Sequence, residues 1–111
     1  MPALPNADRA VIEPAKFASY ALNPDHPTGR HKARVFRAAL GYDQTNFQDL
    51  VDRIRLAISQ EEAVLLRGDQ HGRHYRVDVA VEGPNGAARV RTIWLLDRDT
   101  DVPRLTTAFV L

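Results

Sequence analysis

Residues 74–96, HYRVDVAVEGPNGAARVRTIWLL, determine the fold, because two alternating segments flank a strong turn. Apolar and polar side chains alternate through residues 74–82 and again through 88–96, which is the period-two pattern of strands with one buried face. The GPNG segment at 83–86 is typical of a tight turn. The stretch therefore predicts an antiparallel hairpin. Its core face is expected to hold Tyr75, Val77, Val79, Val81, Val90, Thr92, Trp94 and Leu96.

The opposite face of this hairpin is polar. If the turn is centred between Pro84 and Asn85, Asp78 lies opposite Arg91 and position 80 lies opposite Arg89. Cross-strand ion pairing on this face would explain Arg89 and Arg91 without any functional role.

Two further alternating segments, at residues 64–67 and 104–110, flank the hairpin in the chain. The connections are short, so consecutive strands must be antiparallel neighbours, and the prediction is a four-stranded meander. In the last strand, the alternation places Leu105, Thr107 and Phe109 on the core face.

The first half of the chain has helical periodicity. One helix is predicted to start at about Pro14 and to stop before Asn23-Pro24, and a second covers about 28–40 and is closed by Gly41. A third carries an amphipathic stripe over residues 47–58, with Thr45 or Asp43 as its cap. The fold class is therefore α+β, with three N-terminal helices on one face of the sheet. We expect a single domain over residues 1–111, its helical half at about 13–60 and its sheet half at about 63–111.

Composition narrows the class of protein. The chain has 111 residues, a net charge of +1 and no cysteine, which excludes disulfides and thiolate metal sites. The first residues do not have the pattern of a secretory signal, and no apolar run approaches the roughly 20 residues of a membrane helix. These features favour a soluble, cytoplasmic protein.

Positive charge is concentrated in residues 23–36, NPDHPTGRHKARVF. Residues 26–37 contain four basic side chains, two histidines and no acid. A chain that is nearly neutral overall but clusters its cations in one place is typical of a protein with an anionic ligand.

A helical wheel divides this segment. Arg30, Arg34 and Arg37 form a row that is either a solvated face or a phosphate-binding stripe. Lys32 falls instead in the middle of the apolar sector, so it either snorkels to water or points into a cleft between helix and sheet. In the loop before the helix, His26 lies between two prolines, where it is either a general base or a structural loop residue.

Other chemistries have less support in the sequence. The four histidines have neither HxH nor HExxH spacing and no accompanying acidic cluster, so no metal site is expected. No cofactor-binding motif is present either, and no cofactor is expected.

Several blocks carry a family resemblance: LPNADRAVI at 4–12, LNPDHPTGRHKARVF at 22–36, GPNG followed by VRTIW at 90–94, and PRLTTAF at 103–109. Together they resemble an uncharacterised bacterial domain family found as short free-standing proteins and at the ends of phage-related and polymorphic-toxin proteins. The order of elements is also similar to the barnase/EndoU/colicin/RelE group of small metal-independent ribonucleases. The Tyr-Pro that usually ends the final block is replaced here by Phe109-Val110.

The resemblance implies a ribonuclease fold and a set of site residues. By matching position, the catalytic group would comprise His26 as base, Lys32 and Arg91 as cations that stabilise the phosphorane, and Thr107 as a donor to phosphate. The clustered positive charge, and not the resemblance, adds Arg30, His31, Arg34, Arg37 and Arg89 as substrate-binding residues, although His31 points away from the apolar sector and is otherwise a solvated side chain.

The function that follows is an RNA-cleaving toxin of a bacterial toxin–antitoxin or toxin–immunity pair, in which a 2′-hydroxyl attacks the adjacent phosphate. Its partners would be RNA and a small acidic antitoxin or immunity protein. The alternative is a non-catalytic protein-binding module, such as the immunity or accessory partner in such a pair.

Overall fold

A computed structural model describes residues 2–111. The chain begins with a short 3-10 turn (Ala7–Arg9) and a π-helical turn (Phe17–Ala21), which are followed by two α-helices, α1 (Arg30–Leu40) and α2 (Phe47–Ile58). Four strands complete it: β1 (Ala63–Asp69), β2 (Gly72–Gly83), β3 (Gly86–Asp97) and β4 (Pro103–Val110). The α+β class is confirmed.

The strands form one antiparallel sheet in the order β1-β2-β3-β4, so the predicted meander is confirmed. The register of the central hairpin also agrees, since Asp78 pairs with Arg91 and Ala80 with Arg89. The turn of this hairpin packs against the end of α1. A Cβ atom at Gly83 would lie 2.2 Å from the carbonyl oxygen of Leu40, so this contact requires glycine.

One face of the sheet is buried beneath the helices. The predicted core residues of β2 and β3 are all buried, and all except Thr92 belong to the same hydrophobic cluster as Phe36 and Leu40 of α1 and Leu50 and Ile54 of α2. Thr92 is the polar member of the face. Its hydroxyl donates to the Val77 carbonyl at 2.6 Å and accepts from the Trp94 indole at 2.8 Å, which satisfies both buried groups.

The prediction of which side chains of the last strand point into the core is partly wrong. Trp94 pairs with Leu105 and Ile93 pairs with Thr107, which leaves Thr106 as an extra residue in a β-bulge. The bulge shifts the alternation by one position. Leu105 is buried as predicted, but beyond the bulge Ala108 is buried while Thr107 and Phe109 are only half-buried.

The prediction of three helices is also wrong. The first predicted helix is only the five-residue π-helical turn, in which the Leu22 N–H donates to the Phe17 carbonyl. Helix α1 begins at Arg30 rather than near residue 28, and Gly41 ends it with φ of 80°, as predicted.

The cap of α2 was also assigned wrongly, because Asn46 occupies the position before that helix. Asp43 instead accepts from the Thr45 amide at 2.8 Å, within the preceding loop. In the part of the chain that the structure describes, no helix has the length and apolar character needed to cross a membrane.

Candidate functional site

Lys32 points into a cleft between α1 and the edge of the sheet. Its Nζ donates to the Thr107 hydroxyl at 2.7 Å and to the Tyr20 hydroxyl at 3.1 Å. The same ammonium lies 4.8 Å from the centre of the Tyr20 ring and 5.6 Å from that of Phe109. The sequence left two positions open for Lys32, snorkelling to water or pointing into a cleft, and the structure shows the second. We call Tyr20, His26, Lys32 and Thr107 the Lys32 cluster.

Three elements bring this cluster together. The first turn of α1 supplies Lys32, the π-helical turn supplies Tyr20, and β4 supplies Thr107 from the edge of the sheet. The bulge contributes directly, because it turns Thr107 away from the core and leaves its hydroxyl within reach of the lysine.

Tyr20 is the ionisable group that Lys32 perturbs. The hydrogen bond from the Lys32 ammonium lowers the pKa of the Tyr20 phenol below its usual value, and the lysine charge and the Thr28 hydroxyl act in the same direction against the opposing effect of burial. The arrangement therefore favours the phenolate more than water does. No motif in the sequence indicates this role for Tyr20, which lies within the first predicted helix.

His26 lies against Tyr20 but is held by the backbone of its own loop. Its Nδ1 accepts from the amides of Thr28 at 3.1 Å and Gly29 at 2.9 Å. Because Nδ1 is the acceptor, a neutral ring carries its proton on Nε2. The rings of His26 and Tyr20 meet edge to face, with centroids 4.9 Å apart. These contacts support the interpretation of His26 as a structural residue of the loop rather than as a general base.

Gly29 allows the loop to approach the π-helical turn closely. It is buried, and a Cβ atom there would lie 2.2 Å from the carbonyl oxygen of Tyr20. Glycine at this position therefore allows the loop that contains His26 to lie close to the π-helical turn that contains Tyr20.

Arg91 belongs to a different set of contacts. Its guanidinium binds Asp78 through two hydrogen bonds of 2.9 and 3.0 Å, and this interaction lowers the pKa of Asp78. Although the Cα partner of Arg91 on β4 is Phe109, its charged group is directed at β2. The structure therefore does not bring Arg91 to the Lys32 cluster. The predicted cross-strand ion pairing is present for Arg91, whereas Arg89 forms no ion pair within residues 2–111.

The remaining basic residues of α1 line a separate groove of about 620 Å³. Since Arg30 and Lys32 are two positions apart, they project from nearly opposite sides of the helix. We call this cavity the α1 groove; its lining includes Arg30, His31, Arg34 and Arg37. Arg89 lies elsewhere, beside Glu61, Glu62 and Asp78 on the polar side of the sheet.

Of the other two histidines, His71 lies in the turn between β1 and β2, and His74 lies in β2, where its ring is 2.9 Å from the Asp69 carboxylate. Among residues 2–111, no group of three or more histidine, aspartate or glutamate side chains is arranged to hold a metal ion.

Comparison with known proteins identifies the family. The model of a family described as a domain of unknown function, DUF6883, matches residues 3–111, so the chain belongs to this family. The expected membership of an uncharacterised domain family is thereby confirmed. A search of curated proteins found no match.

Proposed function

We propose that this member of the DUF6883 family is a ribonuclease toxin that cleaves RNA at the Lys32 cluster without a metal ion. The observation that carries the proposal is the position of the Lys32 ammonium between two hydroxyl groups at the edge of the sheet. A cation with adjacent hydroxyl donors is suited to bind a phosphate and to stabilise the extra negative charge of a phosphorane.

In the proposed reaction, the Tyr20 phenolate takes the proton of an RNA 2′-hydroxyl. The 2′-oxygen then forms a bond to phosphorus, and the bond from phosphorus to the 5′-oxygen breaks. Lys32 stabilises the charge on the phosphorane, and the Thr107 hydroxyl donates to one phosphate oxygen. Water protonates the leaving 5′-oxygen, so the products are a 2′,3′-cyclic phosphate and a 5′-hydroxyl.

This assignment differs from the expected one in two roles. His26 was expected to be the base, but its Nδ1 is occupied by two backbone amides, and we propose that it positions Tyr20 and the loop. Arg91 was expected to stabilise the phosphorane, but its charge is balanced by Asp78. The phenol, whose pKa is lowered by Lys32, is the better candidate for the base.

The test is cleavage of RNA by the purified protein and its variants. We expect Tyr20→Phe to lower kcat by roughly 10²–10⁴, the usual contribution of a positioned acid–base group. Tyr75→Phe is the matched control, because this tyrosine lies in the core face of β2. In Lys32→Met, the residual activity should require higher pH, since the cation that lowers the pKa of Tyr20 is lost. Unchanged cleavage by both Tyr20→Phe and Lys32→Met would exclude this mechanism.

A second candidate function is a protein-binding module, and the exposed arginines of the α1 groove favour it. It predicts no RNA cleavage and salt-sensitive binding to an acidic protein. Expression in a bacterial host, with and without the neighbouring gene, separates the two functions. Growth inhibition that the neighbour relieves supports a toxin with a small acidic antitoxin or immunity partner, whereas no inhibition supports the module.

A further inference from the structure

The α1 groove combines exposed arginine side chains with an apolar floor. We propose that it is a nucleotide-binding subsite for the RNA substrate, in which a nucleobase lies on the apolar floor and the flanking phosphates bind Arg30 and Arg34. This inference rests on the proposed ribonuclease function and specifies how its substrate is held away from the Lys32 cluster.

The arginines of the groove are free to bind phosphate. Arg30, Arg34 and Arg37 are exposed, and within residues 2–111 none of them forms an ion pair. By contrast, Arg53 and Arg91 are each hydrogen-bonded to a carboxylate. At 1.5 Å per residue, the three groove arginines extend over roughly 10 Å along α1. Such a row follows the backbone of a nucleic acid strand more readily than it encloses a single ion.

The floor of the groove is suited to an apolar ring. Leu22, Ala33 and Ala38 supply apolar lining; Leu22 and Ala33 are buried, and Ala38 is exposed on α1. The small side chains of Ala33 and Ala38 leave room between the arginines. Its volume of about 620 Å³ is within the usual range of sites for small organic ligands. A base could therefore lose contact with water here while its phosphates stay on the exposed arginines.

The two ends of the groove differ in charge, and this difference defines the orientation of the bound nucleotide. Asp43 and Asn85 lie in the lining together with Arg37. Arg37 helps to lower the pKa of Asp43, although hydrogen bonds from Thr45 contribute more. A phosphate near Asp43 would meet a carboxylate, so the phosphates belong near Arg30 and Arg34, where the N-terminus of α1 also favours anions. The amide of Asn85 and the carboxylate of Asp43 are then placed to meet the polar edge of the base.

The groove and the Lys32 cluster lie on opposite sides of the first turn of α1. In this proposal, one RNA strand reaches both sites by passing around this end of the helix, over the exposed residues Pro27 and Thr28. A dinucleotide that occupies the Lys32 cluster is too short to reach the groove as well. The arginines of the groove should therefore matter more for longer substrates than for a dinucleotide.

Binding is tested with a short 2′-O-methyl oligoribonucleotide, which lacks the attacking hydroxyl and cannot be cleaved. We expect Arg34→Gln to weaken binding by about tenfold and to reduce the slope of log affinity against log salt by about one, because one phosphate contact is lost. The matched control is Arg9→Gln, which removes the same charge from an exposed site outside the groove. Ala38→Leu should fill the floor and weaken binding without changing the salt slope.

Cleavage separates this inference from the function on which it rests. Arg34→Gln should raise KM for an oligoribonucleotide more than it raises KM for a dinucleotide, whereas the control Arg9→Gln should change neither. Lys32→Met should lose cleavage but still bind the 2′-O-methyl probe.

Two results would overturn the inference. One is binding of the probe that neither Arg34→Gln nor Ala38→Leu weakens. The other is a wild-type protein that does not bind the RNA probe but does bind an acidic peptide, such as oligoglutamate, with an affinity that these variants lower. If the wild-type protein binds the probe through the groove but cleaves no RNA, the proposed ribonuclease function fails and the nucleotide-binding subsite stands.

Discussion

At the scale of single residues, Lys32 shows how a charged side chain can occupy the apolar sector of a helix. Its stem lies along the apolar side of α1, while the ammonium reaches two hydroxyl groups and two aromatic rings. Hydroxyl oxygens accept from a cation and aromatic faces attract it, so the contacts offset part of the cost of removing the ammonium from water. No carboxylate takes part in the described contacts of this ammonium, which leaves its charge available to an anion.

The pair formed by Arg91 and Asp78 is predicted to be structural. Arg91→Ala would leave the Asp78 side chain, which is only 17% exposed, without its two hydrogen bonds. We expect a lower urea midpoint of unfolding than in wild type, whereas the control Arg89→Ala, at an exposed position opposite Ala80, should change it little.

The effect of this pair should depend on pH. Because the pKa of Asp78 lies below its usual 3.8 in the folded protein, the pair stabilises the fold above pH 3.8, and its contribution is lost as the pH falls through the lowered pKa. The difference between wild type and Arg91→Ala should therefore shrink in acid. Equal midpoints for Arg91→Ala and Arg89→Ala at neutral pH would contradict a structural role.

At the scale of elements, the Lys32 cluster depends on how closely the loop before α1 approaches the π-helical turn. In Gly29→Ala, the added Cβ would lie 2.2 Å from the Tyr20 carbonyl oxygen, and a backbone atom cannot move aside as a flexible side chain does. We expect a loss of about 1–3 kcal/mol in the free energy of unfolding, the usual cost of overpacking.

The matched control for this variant is Gly68→Ala in β1, where the nearest atom to the added Cβ is 3.9 Å away. If the two alanine variants unfold at the same denaturant concentration, the close approach at Gly29 is not a constraint. RNA cleavage should also fall more in Gly29→Ala, because the displacement moves Tyr20 relative to Lys32.

At the scale of the whole molecule, Tyr42 links the segment after α1 to α2. The phenol is fully buried and donates to the Asp49 carboxylate, and burial together with Asp49 raises its pKa to about 12. The folded protein therefore keeps a proton that the unfolded chain loses near pH 10, so this residue makes the free energy of unfolding fall between pH 10 and 12.

Replacement of the phenol should remove this contribution. Tyr42→Phe should be less stable at neutral pH, because Asp49 loses a hydrogen bond, and the difference from wild type should narrow above pH 10. Chemical denaturation at several pH values measures both effects, with Tyr75→Phe as the control. A difference that stays constant up to pH 12 would exclude the proposed linkage.

Local patterns explain which parts of the fold were predictable. The hairpin register followed from the GPNG turn and from alternation, and both depend on residues close together in sequence. The bulge at Thr106 was not predictable, because an extra residue in one strand leaves the composition of that strand unchanged. The first helix was predicted at full length because a π-helical turn and an α-helix share nearly the same short-range apolar spacing.

The sequence by itself determined the α+β class, the order of the strands, the core face of β2 and β3, and the unusual position of Lys32 on its helix. Only the tertiary structure decided what Lys32 meets. The bulge placed Thr107 beside it, the close approach at Gly29 placed Tyr20 beside it, and Asp78 held Arg91 away. The physical reason is that strand and helix patterns arise from neighbours in the chain, whereas this cluster joins residues up to 87 positions apart, from Tyr20 to Thr107.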